Sequence, residues 1–186
     1  SVIEQGSAGI AQASVVKDDD SLNERVEFLH RTLSTDAVAE QFIDGRELTI
    51  SVLGNERLQT FPVWELWFDK LPERSEAIAT SRVKWNEEYA KRIGAHTGRA
   101  RELDPVLEKR LLHVAKRTYK ALDLSGYARI DLRLDAEGRA WVLEANPNPD
   151  LTPGEDFPES AKSVGLNYAQ LVQRLLNLGI GYKSAW

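Results

Sequence analysis

Three stretches of the chain carry apolar residues at the three-to-four-residue spacing of an amphipathic helix. The first follows Ser21 and Glu24, which have the spacing of a capping box and predict a helix start there. The second begins at Asp104-Pro105, where an N-cap residue precedes a proline at the first helical position. The third covers residues 168–178. We therefore predict three helices.

Other apolar runs are shorter and alternate with polar residues, which is typical of strands. They predict strands at residues 10–17, 37–43, 47–53, 58–68, 127–135 and 140–146. The last two flank a turn at residues 136–139 and predict a hairpin, followed by a proline-rich loop at 147–158. Residues 69–101 are charged and show no sustained period, which in a compact domain indicates a functional or disordered segment. The predicted fold class is α+β, with antiparallel strands and helices to one side.

Composition narrows the classes of function. The formal net charge of -5 argues against nucleic acid as the main partner, and the absence of cysteine excludes disulfides and thiolate metal sites. No run approaches the roughly 20 apolar residues of a membrane span, and no signal peptide is visible. We therefore expect a cytoplasmic protein with no membrane partner. The chain begins at Ser1 and contains no methionine, which predicts a piece of a longer protein.

The predicted hairpin brings polar side chains together on one face. If its turn comprises only residues 136–139, then Asp131 lies opposite Glu144 and Arg129 lies opposite Asn146. Alternation along the two strands gives the polar face Arg129, Asp131, Arg133, Asp135, Glu144 and Asn146. The apolar face is predicted to be core and receives Ile130, Leu132, Leu134, Trp141, Leu143 and Ala145.

Directly opposed carboxylates repel each other unless something compensates their charge. Magnesium is suited to this role, because it takes one or two carboxylates and completes its shell with water and phosphate oxygens. Arg129 beside them could neutralise charge on a transferring phosphoryl group. A solvent-exposed polar face with incidental ion pairs explains the spacing equally well. The string from Glu144 to Pro149 favours function, because two prolines directly after a strand fix a loop beside the carboxylates.

At these residues the sequence resembles the ATP-grasp superfamily, specifically the C-terminal domain of D-alanine–D-alanine ligases. The resemblance is carried by the strings Gly126 to Asp131 and Leu143 to Pro147. It implies that Asp131, Glu144 and Asn146 bind two magnesium ions, with Glu144 bridging them. It also implies that Arg129 stabilises the pentacoordinate phosphorus and the acyl-phosphate.

Further segments match this family in the same order along the chain. Residues 40–47 are similar to the segment that holds ATP, which implies adenine contacts from Glu40 and from the backbone of Gln41, Phe42 and Ile43, and ribose contacts from Glu47. Residues 4–10 resemble the glycine-rich loop over the phosphates, with Ser7 as a phosphate contact. Lys84 looks like the lysine of the mobile loop that closes over the site.

The sequence departs from the family pattern after Asn146. D-alanine–D-alanine ligases carry a glycine and then a serine that grips the carboxylate of the second substrate. In this chain Asp150 stands at the place of the glycine, and Glu155, Asp156 and Phe157 stand where the serine is expected. Acidic side chains there would repel a carboxylate. The departure therefore favours a different amine or amino acid as the second substrate.

The resemblance implies a ligase that uses ATP and magnesium to activate a small-molecule carboxylate as an acyl-phosphate and to join it to an amine. Residues 1–46 would end the central ATP-grasp subdomain and residues 47–186 would form the C-terminal catalytic subdomain, with a mobile loop at about 69–101. The substrate domain and two phosphate-binding lysines would lie upstream, so we expect this piece alone to be inactive. A homodimer is possible.

Two alternative functions stay open. A non-catalytic ATP-grasp module that binds nucleotide is disfavoured by the complete set Asp131, Glu144 and Asn146, because such modules usually lose these residues. A structural α+β domain with an acidic face is the third interpretation.

Overall fold

The computed structural model of the chain describes residues 9–182 and divides into two compact units. The first comprises the described residues up to 43 together with 67–96, and the second comprises 44–66 and the residues from 97 onward. Ser7 and the rest of the segment 4–8, which includes most of the predicted phosphate loop, lie outside the described residues.

The first unit is mainly helical. Its elements are a short 3-10 helix (Gln12–Ser14), α1 (Asp19–Leu33), α2 (Ser81–Trp85) and α3 (Glu87–Ile93). The helix predicted after Ser21 is confirmed, but its N-cap is Asp18, whose carboxylate accepts hydrogen bonds from Ser21 N and Ser21 Oγ at 2.7 Å. The predicted cap was wrong because Asp18 already satisfies the amide that a cap must bind.

Two predicted strands in this unit are wrong. Residues 10–17 contain the 3-10 helix, which is held by Gln12 through two hydrogen bonds with the backbone of Glu76. Residues 37–43 have no regular structure, and Val38 is 81% exposed. A strand requires a neighbour for its backbone groups, and within residues 9–182 no strand pairs with 37–43. Apolar composition alone was therefore misleading.

The second unit contains most of one sheet and three helices. Its elements are β1 (Arg46–Leu53), β2 (Gln59–Thr60), β3 (Trp64–Phe68), β4 (Ala95–Arg99), α4 (Pro105–Ala121), β5 (Tyr127–Leu134), β6 (Ala140–Asn146), α5 (Asp156–Lys162) and α6 (Tyr168–Ile180), with the unit boundary falling inside β3 and β4. The strand order is β4-β3-β1-β5-β6, and β2 pairs with β1. β1 is antiparallel to β2, β3 and β5, and β5 is antiparallel to β6. The predicted α+β class is confirmed.

Helix α4 covers one face of this sheet. Asp104 caps it by accepting hydrogen bonds from Val106 N and Leu107 N, as its sequence predicts. The buried residues between sheet and helix are Leu48, Ile50, Val52, Ala128, Ile130, Leu132, Leu134, Leu111, Ala115 and Tyr119. This face of the sheet is buried and apolar, so the polar side chains of the strands lie on the opposite face.

Helices α5 and α6 pack at one end of that opposite face. Their cluster includes Leu53 of β1 and Phe157 of α5, and the Phe157 ring meets the ring of Tyr127 edge to face with centroids 5.6 Å apart. The predicted loop 147–158 is therefore too long, since α5 begins at Asp156.

The segments 58–68 and 69–101 also differ from prediction. The single strand predicted at 58–68 is two strands, β2 and β3. They are separated at Pro62, because proline has no backbone N–H to donate to a neighbouring strand. The segment 69–101 contains α2, α3 and β4 rather than an irregular loop. These elements have five to seven residues, which is too short for a hydrophobic period to emerge.

None of the helices within residues 9–182 combines the length and apolar character that crossing a bilayer requires.

Candidate functional site

The β5–β6 hairpin pairs the predicted residues as expected. Asp131 lies opposite Glu144, and Arg129 lies opposite Asn146. Ala140, however, is opposite Leu134 and not opposite Asp135 as predicted, so the turn contains one residue more. The register then shifts by one between Asp131 and Leu132. A β-bulge in β6 thus restores the predicted pairs around Asp131.

The bulge changes which side chains of β6 face the core. Val142 lies opposite Leu132, which leaves Leu143 as the extra residue, half exposed. Trp141 lies opposite Arg133 and so shares the face of Asp131, and its Nε1 donates to Asp135 Oδ2 at 2.9 Å. The prediction that Trp141 and Leu143 are core residues is therefore wrong. It assumed unbroken alternation from the turn, which a bulge interrupts.

Three rows of residues run across the face opposite α4. β1, β5 and β6 contribute Glu47, Arg133 and Trp141 to the first row, Thr49, Asp131 and Glu144 to the second, and Ser51, Arg129 and Asn146 to the third. Strand alternation places all nine side chains on one side of the sheet. Five of the predicted site residues therefore share one surface.

Arg129 and Asp131 form a bidentate ion pair within one strand. Arg129 Nε donates to Asp131 Oδ1 and Nη2 donates to Oδ2, each at 2.7 Å. Burial lowers the pKa of Arg129, but the hydrogen bonds and charge of Asp131, with the charges of Asp156 and Glu144, outweigh it and raise that pKa. Arg129 is therefore a permanent cation at the centre of the face.

Glu144 and Asn146 lie beside this pair on β6, opposite Asp131 and Arg129 respectively. Glu144 Oε1 is 4.0 Å from Arg129 Nη2, and its side chain is 63% exposed. Asn146 Oδ1 accepts a hydrogen bond from Asn148 N at 2.9 Å, and the Asn148 side chain accepts one from the hydroxyl of Tyr127. The loop after β6 is thus tied back to β5, which agrees with the prediction that it is fixed beside the carboxylates.

Helix α5 brings further negative charge to Arg129. Ser160 Oγ lies 3.1 Å from Ser51 Oγ in a buried contact, so α5 is attached to the strand residue opposite Arg129. Burial, together with the charges of Asp150 and Asp156, raises the pKa of Glu155. The guanidinium of Arg129 therefore faces more carboxylates than it can neutralise.

The donor set fits a magnesium ion. Within residues 9–182, no group of three or more His, Asp or Glu side chains is arranged to hold a metal. A metal here would therefore take only two carboxylates, Asp131 and Glu144, with the amide oxygen of Asn146 as the third protein ligand. Magnesium typically binds few carboxylates and keeps water and phosphate ligands. Each Asp131 oxygen accepts one described bond from Arg129 and retains a further lone pair.

Glu47 is anchored by a residue to which the sequence assigned no role. Arg133 is 4% exposed, and its Nη1 donates to Glu47 Oε2 at 3.4 Å. Sequence reasoning placed Arg133 on the polar face but missed this pairing, because it depends on the contact between β1 and β5. Arg133 only continues the polar alternation of Arg129 and Asp131, so the local pattern gave no signal for this pairing.

The other predicted contacts lie in the first unit. Glu40, Gln41 and Phe42 are exposed and Ile43 is half buried, all in the irregular segment before β1. Lys84 is exposed on α2, whose N-cap Thr80 accepts a hydrogen bond from Val83 N. Their roles in binding ATP stay predictions, as does that of Ser7.

Known proteins resemble most of the chain. A family model described as "D-ala D-ala ligase C-terminus" matches residues 3–177. The D-alanine–D-alanine ligase of Carboxydothermus hydrogenoformans is 33% identical over 144 residues, covering 77% of this chain and 43% of that protein. That of Haemophilus influenzae is 30% identical over 179 residues, covering 96% and 54%. The chain thus spans about half the length of the curated relatives it matches.

The solved structure of D-alanine–D-alanine ligase from Bacillus anthracis complexed with ATP has a TM-score of 0.68 at 24% identity, over 89% of this chain and 48% of that chain. At this identity the likeness shows the fold alone. Because the family model covers nearly all of residues 1–186 and the relatives agree with it, the chain belongs to the ATP-grasp family of D-alanine–D-alanine ligase C-terminal domains.

Proposed function

We propose that the chain is the nucleotide- and metal-binding part of an ATP-dependent ligase that activates a carboxylate as an acyl-phosphate and joins it to an amine. The observation that carries this proposal is the single sheet face on which Arg129, Asp131, Glu144 and Asn146 meet. An exposed structural hairpin has no need to gather these groups opposite a dry core. The division at residue 46 into a central and a C-terminal subdomain is part of the same proposal.

Asp131, Glu144 and Asn146 would hold magnesium, which supplies charge neutralisation for the phosphate oxygens when bound. Arg129 would bind the transferring phosphoryl group. Its two described bonds to Asp131 use two of five guanidinium N–H groups, so further donors are available for phosphate oxygens. Asp131 holds Arg129 in one orientation, and positioning of this kind is a main source of rate enhancement in phosphoryl transfer.

The ATP site would be completed by Glu40, the backbone of Gln41, Phe42 and Ile43, and Glu47, with Lys84 and Ser7 near the phosphates. These assignments rest on the family resemblance. One solved relative, the ligase from Bacillus anthracis, is complexed with ATP, and the use of ATP by this chain is part of the proposal.

For the second substrate we propose an amine or amino acid other than D-alanine. The charges of Asp150 and Asp156 act on Glu155, and Arg129 interacts with Glu155 and Asp156. A substrate carboxylate at this position would meet repulsion from these carboxylates that Arg129 does not offset. A relative of known fold is named a D-Ala:D-Ser ligase, from Enterococcus faecalis, with a TM-score of 0.66, so this fold serves more than one acceptor.

A calorimetric titration of Mg–ATP into the folded full-length protein tests the ATP site. Absence of binding would refute both the ligase and the nucleotide-binding module. If ATP binds, phosphate release is measured across a panel of amino acids and dipeptides. Release that depends on a carboxylate and amine pair supports the ligase. Release that stays flat across the panel favours a non-catalytic module.

A further inference from the structure

Arg133 is a buried arginine that contacts the backbone before β1 as well as a side chain within it. Its Nη2 donates to the carbonyl oxygen of Gly45 at 3.0 Å, and its Nη1 donates to Glu47 Oε2 at 3.4 Å. In the sheet register it lies between Glu47 of β1 and Trp141 of β6. A buried guanidinium is stable only where acceptors fix it, and these two contacts help to set its orientation.

The backbone at Gly45 is confined as well. Gly45 has a φ of 140°, and a Cβ added there would lie 2.1 Å from the carbonyl oxygen of Leu134. Only glycine can take this path so close to β5. The start of β1 is therefore fixed against β5 by the backbone at Gly45 and by the Arg133 side chain, and the position of Glu47 follows from both.

Glu47 is one row away from the proposed metal ligands. It lies opposite Arg133, while Asp131 lies opposite Thr49, two residues further along β1 on the same face. Two residues of a strand span roughly 7 Å. This separation suits a nucleotide whose ribose is at Glu47 and whose phosphates are at Asp131.

We propose that Arg133 is a positioning residue for nucleotide recognition, which orients the Glu47 carboxylate toward the ribose hydroxyls of ATP. The inference rests on the proposed function. Arg133 acts through Glu47 and touches neither nucleotide nor metal. Loss of Arg133 removes a contact that orients this carboxylate, so the energetic contribution of the ribose hydroxyls is reduced while that of the base and phosphates persists.

The test compares dissociation constants for Mg–ATP and for its 2′,3′-dideoxy analogue, measured by calorimetry on the full-length protein. The wild type is expected to prefer ATP by about tenfold, the effect of one hydrogen bond to a charged group. In Arg133→Met and in Glu47→Gln this preference falls to nearly one, with the affinity for the dideoxy analogue little changed. Arg133→Lys is the second variant, for use if Arg133→Met does not fold. It keeps the charge but lacks the two-pronged guanidinium, so we expect an intermediate preference for ATP.

Arg46→Met is the matched control. Arg46 also pairs with a carboxylate across the sheet, donating to Glu65 at 2.8 and 2.7 Å, but alternation places it on the other face of β1. We expect its variant to keep the wild-type preference for ATP.

The outcomes distinguish a failure of the role proposed for Arg133 from a failure of the proposed ATP-dependent function. If Arg133→Met or Arg133→Lys weakens both nucleotides by the same factor, Arg133 is merely structural and the inference is overturned. If the wild type binds both nucleotides equally, an ATP site exists but Glu47 does not read the ribose, which also overturns it. If the wild type binds neither, the proposed function itself fails.

Discussion

Arg129 and Asp131, two residues apart on β5, are joined by two hydrogen bonds of 2.7 Å that leave each side chain less than a fifth exposed. Neighbours at this spacing project to the same face of a strand, so the pair is formed without help from any other element. The strongest contact of the candidate site is thus local in sequence.

Asp131→Asn is predicted to abolish ATP-dependent turnover and to lower the free energy of unfolding by about 2 kcal/mol, because the amide offers Arg129 one acceptor oxygen instead of two and removes the charge. Phosphate release and urea unfolding of the full-length protein measure both effects. The control is Glu137→Gln, which alters an ion pair exposed on both sides and is expected to change stability by less than about 0.5 kcal/mol. Retained turnover in Asp131→Asn would refute the metal assignment.

Gly45→Ala is predicted to destabilise the protein by at least about 3 kcal/mol, because the new Cβ collides with backbone and not with a flexible side chain. Gly126→Ala is the matched control. Gly126 has a φ of 76° but open space around the added Cβ, so its variant costs only the conformational strain, about 1 kcal/mol. Urea unfolding of both variants compares the two costs. Equal losses would show that β1 and β5 are not in close contact at Gly45.

The lowered pKa of Asp135 predicts how the free energy of unfolding changes at acid pH. Burial raises the pKa of Asp135, but hydrogen bonds from Trp141 and Arg139 outweigh it and lower that pKa to about 2. Because the folded-state pKa is depressed, the stabilisation is fully present above the ordinary pKa of 3.8 and is lost as the pH falls toward 2.

The measurement is the free energy of unfolding of the wild type and of Asp135→Asn between pH 7 and pH 2. We expect the difference between them to be constant above about pH 5 and to shrink below it. A difference that does not vary with pH down to 2 would contradict the lowered pKa.

Tyr119→Phe is predicted to lower the free energy of unfolding by about 1–2 kcal/mol, because the hydroxyl of this buried residue donates to the carbonyl oxygen of Gly54 at 2.8 Å. Burial raises the pKa of Tyr119 to about 12, so the hydroxyl remains a donor throughout the neutral range. Tyr168→Phe, at an exposed position on α6, is the control and is expected to have no measurable effect. Thermal unfolding compares the two variants.

Elements whose signals are local could be predicted from the sequence. Helix α4 was predicted from Asp104 and Pro105 at its start, and the β5–β6 hairpin from its alternation and turn. The pairing of Asp131 with Glu144 followed from the hairpin alone. All of these depend on residues within about twenty positions of one another.

Features that depend on distant contacts could not be predicted. Residues 37–43 are apolar like a strand, but strand formation requires a partner elsewhere in the chain. The contact between Arg133 and Glu47 joins residues 86 positions apart, and nothing in either local pattern indicates it. The cap at Asp18 is a different case, since three consecutive aspartates and a serine are all competent caps and only the geometry selects one.

The bulge at Leu143 has a consequence for how this hairpin tolerates change. Leu143 is half exposed and contributes little by its identity, so substitutions there are expected to be nearly silent. Its removal would leave Val142 opposite Leu132 and Glu144 opposite Asp131 in one continuous ladder, so Glu144 and Asn146 would stay on the face of Asp131. The hairpin therefore depends on neither the identity nor the presence of Leu143, and a variant that lacks this residue is expected to keep both ligands opposite β5.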